Sequence, residues 1–204
     1  MLALVSPAVV LRGDPRLGRV LQLRDVSLDH ADAVRLNAEL QQEYRVRYGG
    51  EDTTPIDPTQ FDAPHGRFVV GYVGAAAVGC GGWRARDGGE DPELRPGDAE
   101  IKRMYVAAAH RGRGYARAIL AELERTAAAA GRLRAVLESG TRQPESVALY
   151  RSSGYGPIPA FGRYRDSPNS LFFAKPLTVP TAHPTVAASG TTRTGGRSST
   201  TTER

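Results

Sequence analysis

The sequence predicts an α/β fold built on a mixed β-sheet. Strand-like and helix-like segments follow one another in the order β-α-β-β-β-α-β-α-β-β, with a long loop after the first helix. Two of these segments repeat apolar residues at helical spacing, and some neighbouring strands are separated only by short turns. This order requires a sheet that combines helix-linked and turn-linked strands. The chain has 204 residues, long for one domain and short for two.

The first half of the fold begins with a predicted strand at 20–26, followed by a helix that opens at Leu28. Residues 49–66 contain three prolines and many turn formers, so they predict a long irregular connection. Strands are expected at 67–73 and 77–84, with a turn at Gly74 between them. The first helix is recognised by apolar residues at helical spacing, namely Ala33, Leu36, Leu40 and Tyr44.

The second half contains an amphipathic helix that Gly131 is well placed to end. A shorter helix opens at Pro144, a residue suited to a first helical turn. The elements expected here are a loop at 85–97, a strand at 99–106, a helix at 115–130, a strand at 135–137, a helix at 144–154 and a terminal hairpin of 161–164 with 171–174.

The folded domain is predicted to span 19–177. Residues 1–18 are broken by prolines and a glycine, and are expected to form a poorly ordered extension. Residues 178–204 consist mostly of Thr, Ser, Gly, Pro and Arg, which bury too little apolar surface to offset the entropy of ordering. We therefore expect a disordered tail.

Composition argues against several classes of protein. Cys80 is the single cysteine, which favours a reducing, cytoplasmic location over a disulfide-stapled secreted fold. No cysteine and histidine cluster suggests a metal site, and no stretch is long and apolar enough to cross a membrane. The net charge of +5 is partly contributed by the termini, so it does not predict a concentrated surface for nucleic acid.

The turn at 110–116, His-Arg-Gly-Arg-Gly-Tyr-Ala, lies between a predicted strand and a predicted helix. Gly112 and Gly114 permit backbone conformations that expose successive N–H groups, and a helix N-terminus adds a positive dipole end. Arg111 and Arg113 would add cationic donors. The turn is thus a candidate phosphate site. The alternatives are a glycine-rich turn with solvated arginines, or an RNA-binding arginine–glycine tract.

The segment MYVAAAHRGRGYARAIL resembles the coenzyme A motif of the GNAT superfamily of acyl-CoA-dependent N-acyltransferases, with Arg111, Gly114 and Ala116 in the motif positions. A second family segment, Ala-x-x-Leu-Tyr-x-x-x-Gly-Phe/Tyr, is matched in part at 146–155. Ser146 stands there in place of the usual alanine. The resemblance extends over about 19–177 in element order.

The resemblance implies an acetyl-CoA donor, no metal, and a central sheet that splays open to admit the coenzyme. The pyrophosphate would lie on the amides of 111–117, and the pantetheine arm would pair with the backbone of 104–106 like an added strand. Gln143 stands where the family often has Asn. The expected coenzyme-binding residues are Met104, Tyr105, Val106, Arg111, Gly112, Arg113, Gly114, Tyr115, Ala116, Arg117 and Gln143.

Two residues are candidates for catalysis. Tyr150 is expected to act as general acid toward the departing thiolate, the alternative being a buried aromatic residue. Glu100 is a candidate general base, since some family members carry a glutamate at this strand position. By alternation it should share a face with Lys102 and Met104. The alternative for Glu100 is an ion pair with Lys102 or an arginine.

The acceptor is expected to be a small primary amine or an amino-acid-like molecule, held by carboxylates and aromatic faces. The candidate residues are Glu43, Tyr44, Tyr48, Arg163 and Tyr164. An ordinary solvated loop is the alternative for this acidic region. At the level of function, the alternatives are an acetyltransferase for protein N-termini or lysines, a catalytically silent coenzyme-binding module and a nucleic-acid module. The chain is expected to be a monomer or a homodimer.

Overall fold

The computed structural model describes residues 20–87, 89 and 91–178. The predicted extension 1–18 and nearly all of the predicted tail 178–204 lie outside the described residues. In chain order the elements are β1 (Leu21–Asp25), α1 (Ala31–Tyr48), a short 3-10 helix (Pro58–Phe61), β2 (Gly66–Val73), β3 (Ala76–Arg86), β4 (Asp98–Val106), a second 3-10 helix (Ala108–His110), α2 (Tyr115–Ala129), β5 (Arg134–Gly140), α3 (Pro144–Ser152), β6 (Gly156–Pro157) and β7 (Ser170–Pro176).

The strands form one mixed sheet in the order β1-β2-β3-β4-β5-β7-β6. Strands β1 to β4 pair antiparallel in sequence, and β5 pairs antiparallel with β7. The parallel pairing of β4 with β5 extends only over 98–100 and 134–136. Beyond these residues the two strands part, and the second half of β4 has no described strand partner on that side. The prediction of a mixed, splayed sheet is therefore confirmed.

Two helices cover opposite faces of the sheet. Helix α2 contributes Ile119 and Leu123 to one core, where they pack with Ile101 and Leu137 from the strands. Helix α1 contributes Leu36 and Leu40 to the other core, with aromatic residues from β2 and β4 and from the first 3-10 helix. The apolar spacing recognised in the sequence thus marks the buried face of both helices.

A β-bulge in β4 changes the side-chain alternation of this strand. Its register against β3 shifts between Lys102 and Tyr105, and Arg103 has a positive φ of 57°. The extra residue leaves Tyr105 on the α1 side, while Met104 and Val106 pack on the α2 side. The expectation that Glu100 shares a face with Met104 is therefore wrong, because strict alternation ends at Arg103.

The predicted strand at 161–164 is also wrong. Residues 162–166 form turns, in which Gly162 has a φ of 65° and its carbonyl accepts a hydrogen bond from Arg165 N. The apolar residue that suggested a strand, Phe161, is buried against Phe172 with ring centroids 5.3 Å apart. The partners of β7 are β5 and the two-residue β6.

Candidate active site

The turn before α2 has the backbone of an anion-binding nest. Gly112 and Gly114 have φ values of 74° and 79°, and Gly114 caps the N-terminus of α2 without a side chain. A Cβ atom added at either glycine would meet nothing within 4 Å, so the space at the Cβ position of both residues is open. Both glycines also line a cavity, and the N-terminus of α2 places the positive end of a helix dipole beside it, an arrangement that suits phosphate binding.

The arginines of the turn are engaged with the protein itself. Nε of Arg111 donates to the carbonyl of Val106 at 2.9 Å, and its Nη2 forms an ion pair with Glu43. Arg113 donates to the carbonyl of Ala109 at 3.2 Å and is exposed. The charge of Arg111 is therefore already paired within the protein.

A cavity of about 410 Å³ occupies the gap between the second half of β4 and α3. It extends from the turn to Tyr150, and the opening of the sheet creates it. All of the expected coenzyme-binding residues except Arg113 line this cavity. The complete lining is Leu40, Glu43, Met104, Tyr105, Val106, His110, Arg111, Gly112, Gly114, Tyr115, Ala116, Arg117, Gln143, Glu145, Ser146, Ala148, Leu149, Tyr150 and Ser152.

Tyr150 is a buried aromatic residue and also a candidate proton donor, which were the two alternatives that the sequence left open. Its ring is buried, with centroids 5.7 Å from Tyr155 and 6.5 Å from Phe173. Its hydroxyl has no hydrogen-bond partner among the described residues, and the residue lines the cavity between β4 and α3. Burial, and secondarily the negative charge of Glu138, raises the pKa of Tyr150. The hydroxyl is thus protonated at neutral pH and is available as a proton donor.

Glu100 has the environment of the ion-pair alternative. Its Oε2 lies 2.9 Å from Nη2 of Arg84 and 3.3 Å from Nη1 of Arg86, and its Oε1 lies 3.7 Å from Nζ of Lys102. Its side chain is 8% exposed and lines neither of the two cavities at the splayed end of the sheet. This geometry does not support the role of general base for Glu100.

A second cavity of about 170 Å³ adjoins the first, and Gln143 lines both. Three of the five expected acceptor residues, Tyr44, Tyr48 and Tyr164, lie in this second cavity. Glu43 lines the first cavity instead. Arg163 lines neither cavity, and its Nε donates to Thr53 Oγ1 at 3.1 Å. The complete lining is Tyr44, Tyr48, Gly50, Glu51, Asp52, Glu138, Ser139, Gly140, Gln143, Tyr164, Ser167, Asn169 and Ser170.

Glu138 is a residue of the second cavity that sequence reasoning missed. It follows an apolar run in β5, and a carboxylate in that position was the one available signal. Its Oε1 accepts a hydrogen bond from Ser170 Oγ at 2.7 Å, and no arginine, lysine or histidine of the described chain is at ion-pair distance. Burial raises the pKa of Glu138, although the Ser170 bond and Lys102 act in the opposite direction.

Asp52 is the second carboxylate turned toward this cavity, and it is firmly held. Its Oδ1 accepts hydrogen bonds from the hydroxyl of Tyr164 at 2.9 Å and from that of Thr54 at 2.6 Å. Its Oδ2 lies 3.6 Å from Nη1 of Arg103. Burial by itself would raise the pKa of Asp52, but Lys102, the Thr54 bonds and Arg103 together lower it. Asp52 is therefore ionised at neutral pH.

The fold and the paired cavities define the class of protein as an acyltransferase that uses an acyl-CoA donor. Comparisons with known proteins agree. The model of the acetyltransferase (GNAT) family matches residues 35–155, more than half of the chain. The chain therefore belongs to the acetyltransferase (GNAT) family, and it is an acyl-CoA-dependent N-acetyltransferase.

Individual relatives carry related names. The chain is 35% identical over 144 residues to an IAA acetyltransferase of Azospirillum brasilense, which covers 71% of this chain and 90% of that protein. It is 31% identical over 116 residues to YsnE, an uncharacterized N-acetyltransferase of Bacillus subtilis, covering 56% and 72%. A solved Klebsiella pneumoniae structure, assigned to the acyl-CoA N-acyltransferases, superposes with a TM-score of 0.63 at 27% identity, covering 78% and 98%.

Two further findings concern the described residues. They contain no helix that is long and apolar enough to cross a membrane. They also contain no group of three or more His, Cys, Asp or Glu side chains that could hold a metal ion.

Proposed function

We propose that this protein transfers the acetyl group of acetyl-CoA to the primary amine of a small cationic molecule. One observation carries the proposal: a small cavity lined by Glu138 and Asp52 adjoins the coenzyme cavity. An acceptor amine in the small cavity is thereby brought next to the thioester end of the large one. Such juxtaposition of two reactants contributes a large part of the rate in group transfer.

The coenzyme is assigned to the larger cavity. The amides of 111–117 would hold the pyrophosphate, and the free edge of Met104–Val106 would pair with the amides of the pantetheine arm. Support for this assignment comes from the open space before Gly112 and Gly114 and from the absence of a described strand partner on this side of β4. The larger cavity, between β4 and α3, extends to Tyr150.

The chemistry requires two protons to leave the acceptor ammonium and one proton to reach sulfur, so one proton is released to solvent overall. Glu138 accepts the proton of the acceptor ammonium, directly or through water. The neutral nitrogen then attacks the carbonyl carbon and forms a tetrahedral intermediate. As the C–S bond breaks, Tyr150 donates its hydroxyl proton to the thiolate, and the resulting phenolate takes the second proton from the acylated nitrogen. Glu138 releases its proton to solvent. The products are an amide and free coenzyme thiol. In this proposal Glu138 replaces Glu100 as the base, because Glu138 lines the acceptor cavity and carries no ion pair.

The shape and charge of the second cavity support a small, cationic acceptor. The backbone N–H of Thr53 and the carboxylate of Asp52 both bond the hydroxyl of Tyr164, which joins the loop after α1 to the turns before β7. Tyr164 and Asp52 are thereby held together at the wall of the cavity. A protein N-terminus or lysine would require a longer open groove.

We retain the predictions of a cytoplasmic location and of a monomeric or homodimeric state.

The test is an acceptor screen that follows thiol release from acetyl-CoA with the full-length protein. Tyr150→Phe and Glu138→Gln are each expected to lower kcat by about 100-fold or more with folding intact. Tyr155→Phe is the matched control, because it removes a hydroxyl from the adjoining ring, which lines neither cavity. Coenzyme binding without turnover on any amine would favour the silent module. Turnover restricted to peptides would favour the protein acetyltransferase.

A further inference from the structure

We propose that Ser170 is a positioning residue, whose hydroxyl holds the carboxylate of Glu138 at the acceptor cavity in the orientation that receives a proton. The inference rests on the proposed function in one respect, since the base role of Glu138 is part of that function. The contact between the two residues can be tested separately.

The pairing of β5 with β7 brings the two side chains together. Glu138 lies opposite Phe172, and Gly140 lies opposite Ser170, so Glu138 and Ser170 are diagonal neighbours on one face of the sheet. Ser170 Oγ donates to Glu138 Oε1 at 2.7 Å, a distance typical of a charge-assisted hydrogen bond. The backbone of Ser170 is itself held, since its N–H donates to the carbonyl of Ser167 at 3.2 Å.

The Ser170 hydroxyl is the direct polar contact of Glu138 within the described chain. The charged groups around Glu138 are Lys102 and Glu100 from β4 and Asp52 from the loop after α1, and none of them reaches it at ion-pair distance. Helix α1 adds the neutral hydroxyls of Tyr44 and Tyr48 to the same cavity. A partly buried carboxylate with a single hydroxyl donor depends on that donor both for its orientation and for its ionised form.

Loss of the hydroxyl has two consequences. The carboxylate of Glu138 becomes free to rotate away from the acceptor cavity. Its proton affinity also rises, because a hydrogen bond that favours the ionised form has been removed while the burial remains. Threonine retains an Oγ donor at this position, so Ser170→Thr should preserve both properties, whereas Ser170→Ala should lose them.

The first experiment is an NMR titration of protein labelled with ¹³C at the glutamate side-chain carboxyl, in which the Glu138 resonance is identified by its loss in Glu138→Gln. In Ser170→Ala the midpoint for Glu138 is expected to rise by about one pH unit, a tenfold change in proton affinity. Ser170→Thr should titrate like the wild type. Ser167→Ala is the matched control, because it removes another serine hydroxyl from the same cavity. An unchanged midpoint in Ser170→Ala would overturn the inference.

The second experiment uses the acceptor identified in the screen. Ser170→Ala should lower kcat about tenfold, leave the KM for acetyl-CoA unchanged and move the acidic limb of the kcat/KM profile upward. Added to Glu138→Gln, the same substitution should have no further effect. If Glu138→Gln retains full activity, the proposed base is wrong, and the NMR midpoint still decides the Ser170 contact. If Glu138→Gln is inactive and Ser170→Ala behaves as wild type, only the present inference fails.

Discussion

Arg84 and Glu100 form a buried ion pair, in which Nε of Arg84 donates to Oε2 of Glu100 at 2.9 Å. Both side chains are less than a tenth exposed, at 7% and 8%. Arg84 also donates to Oε1 of Gln60 at 2.7 Å, which ties the sheet to the first 3-10 helix. The carboxylate that the family resemblance suggested as a base is therefore part of the structural framework, whereas Glu138 has no ion pair among the described residues.

This contrast predicts opposite effects for two matched substitutions. Glu100→Gln leaves buried cations without their counter-charge, so we expect the free energy of unfolding to fall by about 3 kcal/mol. Its kcat should stay close to that of the wild type, because Glu100 lines neither cavity. Glu138→Gln should lower kcat and leave stability equal or higher, because it removes a carboxylate with no ion pair. Chemical denaturation and thiol-release assays measure the two quantities. A large loss of kcat in folded Glu100→Gln would restore Glu100 as the base.

Gly114→Ala should weaken coenzyme binding. Both Gly114 and Gly131 have φ near 80° and open space at the Cβ position, so alanine at either costs about 1 kcal/mol of backbone strain. Only Gly114 lies in the coenzyme cavity, so only Gly114→Ala should raise the Kd for coenzyme A, by several-fold in calorimetry. Gly131→Ala is the control for the strain. Equal Kd values in the two variants would contradict the assignment of the phosphate to this turn.

Glu43→Gln should tighten the binding of coenzyme A. Glu43 lines the coenzyme cavity and pairs with Arg111, so its neutralisation removes a negative charge and releases a cation near the expected phosphates. We expect the Kd to fall several-fold at low salt, and the gain to diminish as ionic strength rises. Stability should change little, as is usual for a partly exposed pair. Glu51→Gln, which breaks the pair with Arg45 outside this cavity, is the control. A weaker complex in Glu43→Gln would refute the prediction.

The pH dependence of activity should follow Glu138. Burial raises the pKa of Glu138 above its ordinary value of 4.5, and the proposed mechanism requires the ionised form. The rate kcat/KM should therefore fall as pH decreases, with a midpoint above 4.5. This limb should be missing from the residual activity of Glu138→Gln. A midpoint at or below 4.5 in the wild type would contradict the assignment.

The pH dependence of stability should have opposite signs for the two carboxylates of the second cavity. The raised pKa of Glu138 means that the folded state binds its proton more tightly, so this group lowers stability as pH rises above 4.5 toward the folded pKa. The lowered pKa of Asp52 means that its contribution is present above 3.8 and is lost as pH falls below that value. Denaturation of the wild type, Glu138→Gln and Asp52→Asn across this pH range measures the contribution of each carboxylate to stability. Parallel pH profiles for the wild type and either variant would show that the replaced carboxylate makes no such contribution.

Local features of the fold could be predicted, because their determinants lie next to one another in the chain. Gly112 and Gly114 permit the backbone of the turn, and the apolar spacing in α2 marks its buried face. Alternation failed at Arg103, because a single extra residue reverses the face of every side chain that follows, and an arginine does not signal a positive φ. The sequence predicts a strand at Phe161, because an apolar residue that is buried from a turn cannot be distinguished in sequence from one that is buried from a strand.

By itself, the sequence determined most of the order of elements, the glycine-rich turn before α2, the place of Tyr150 in the second family segment and the resemblance to the family. Only the tertiary structure decided which carboxylate carries an ion pair and which lines the second cavity. Arg84 and Ser170 reach their partners only after the strands have been brought into register, because each partner lies on another strand. Burial likewise depends on packing between segments far apart in the chain, and burial sets the proton affinity of Glu138.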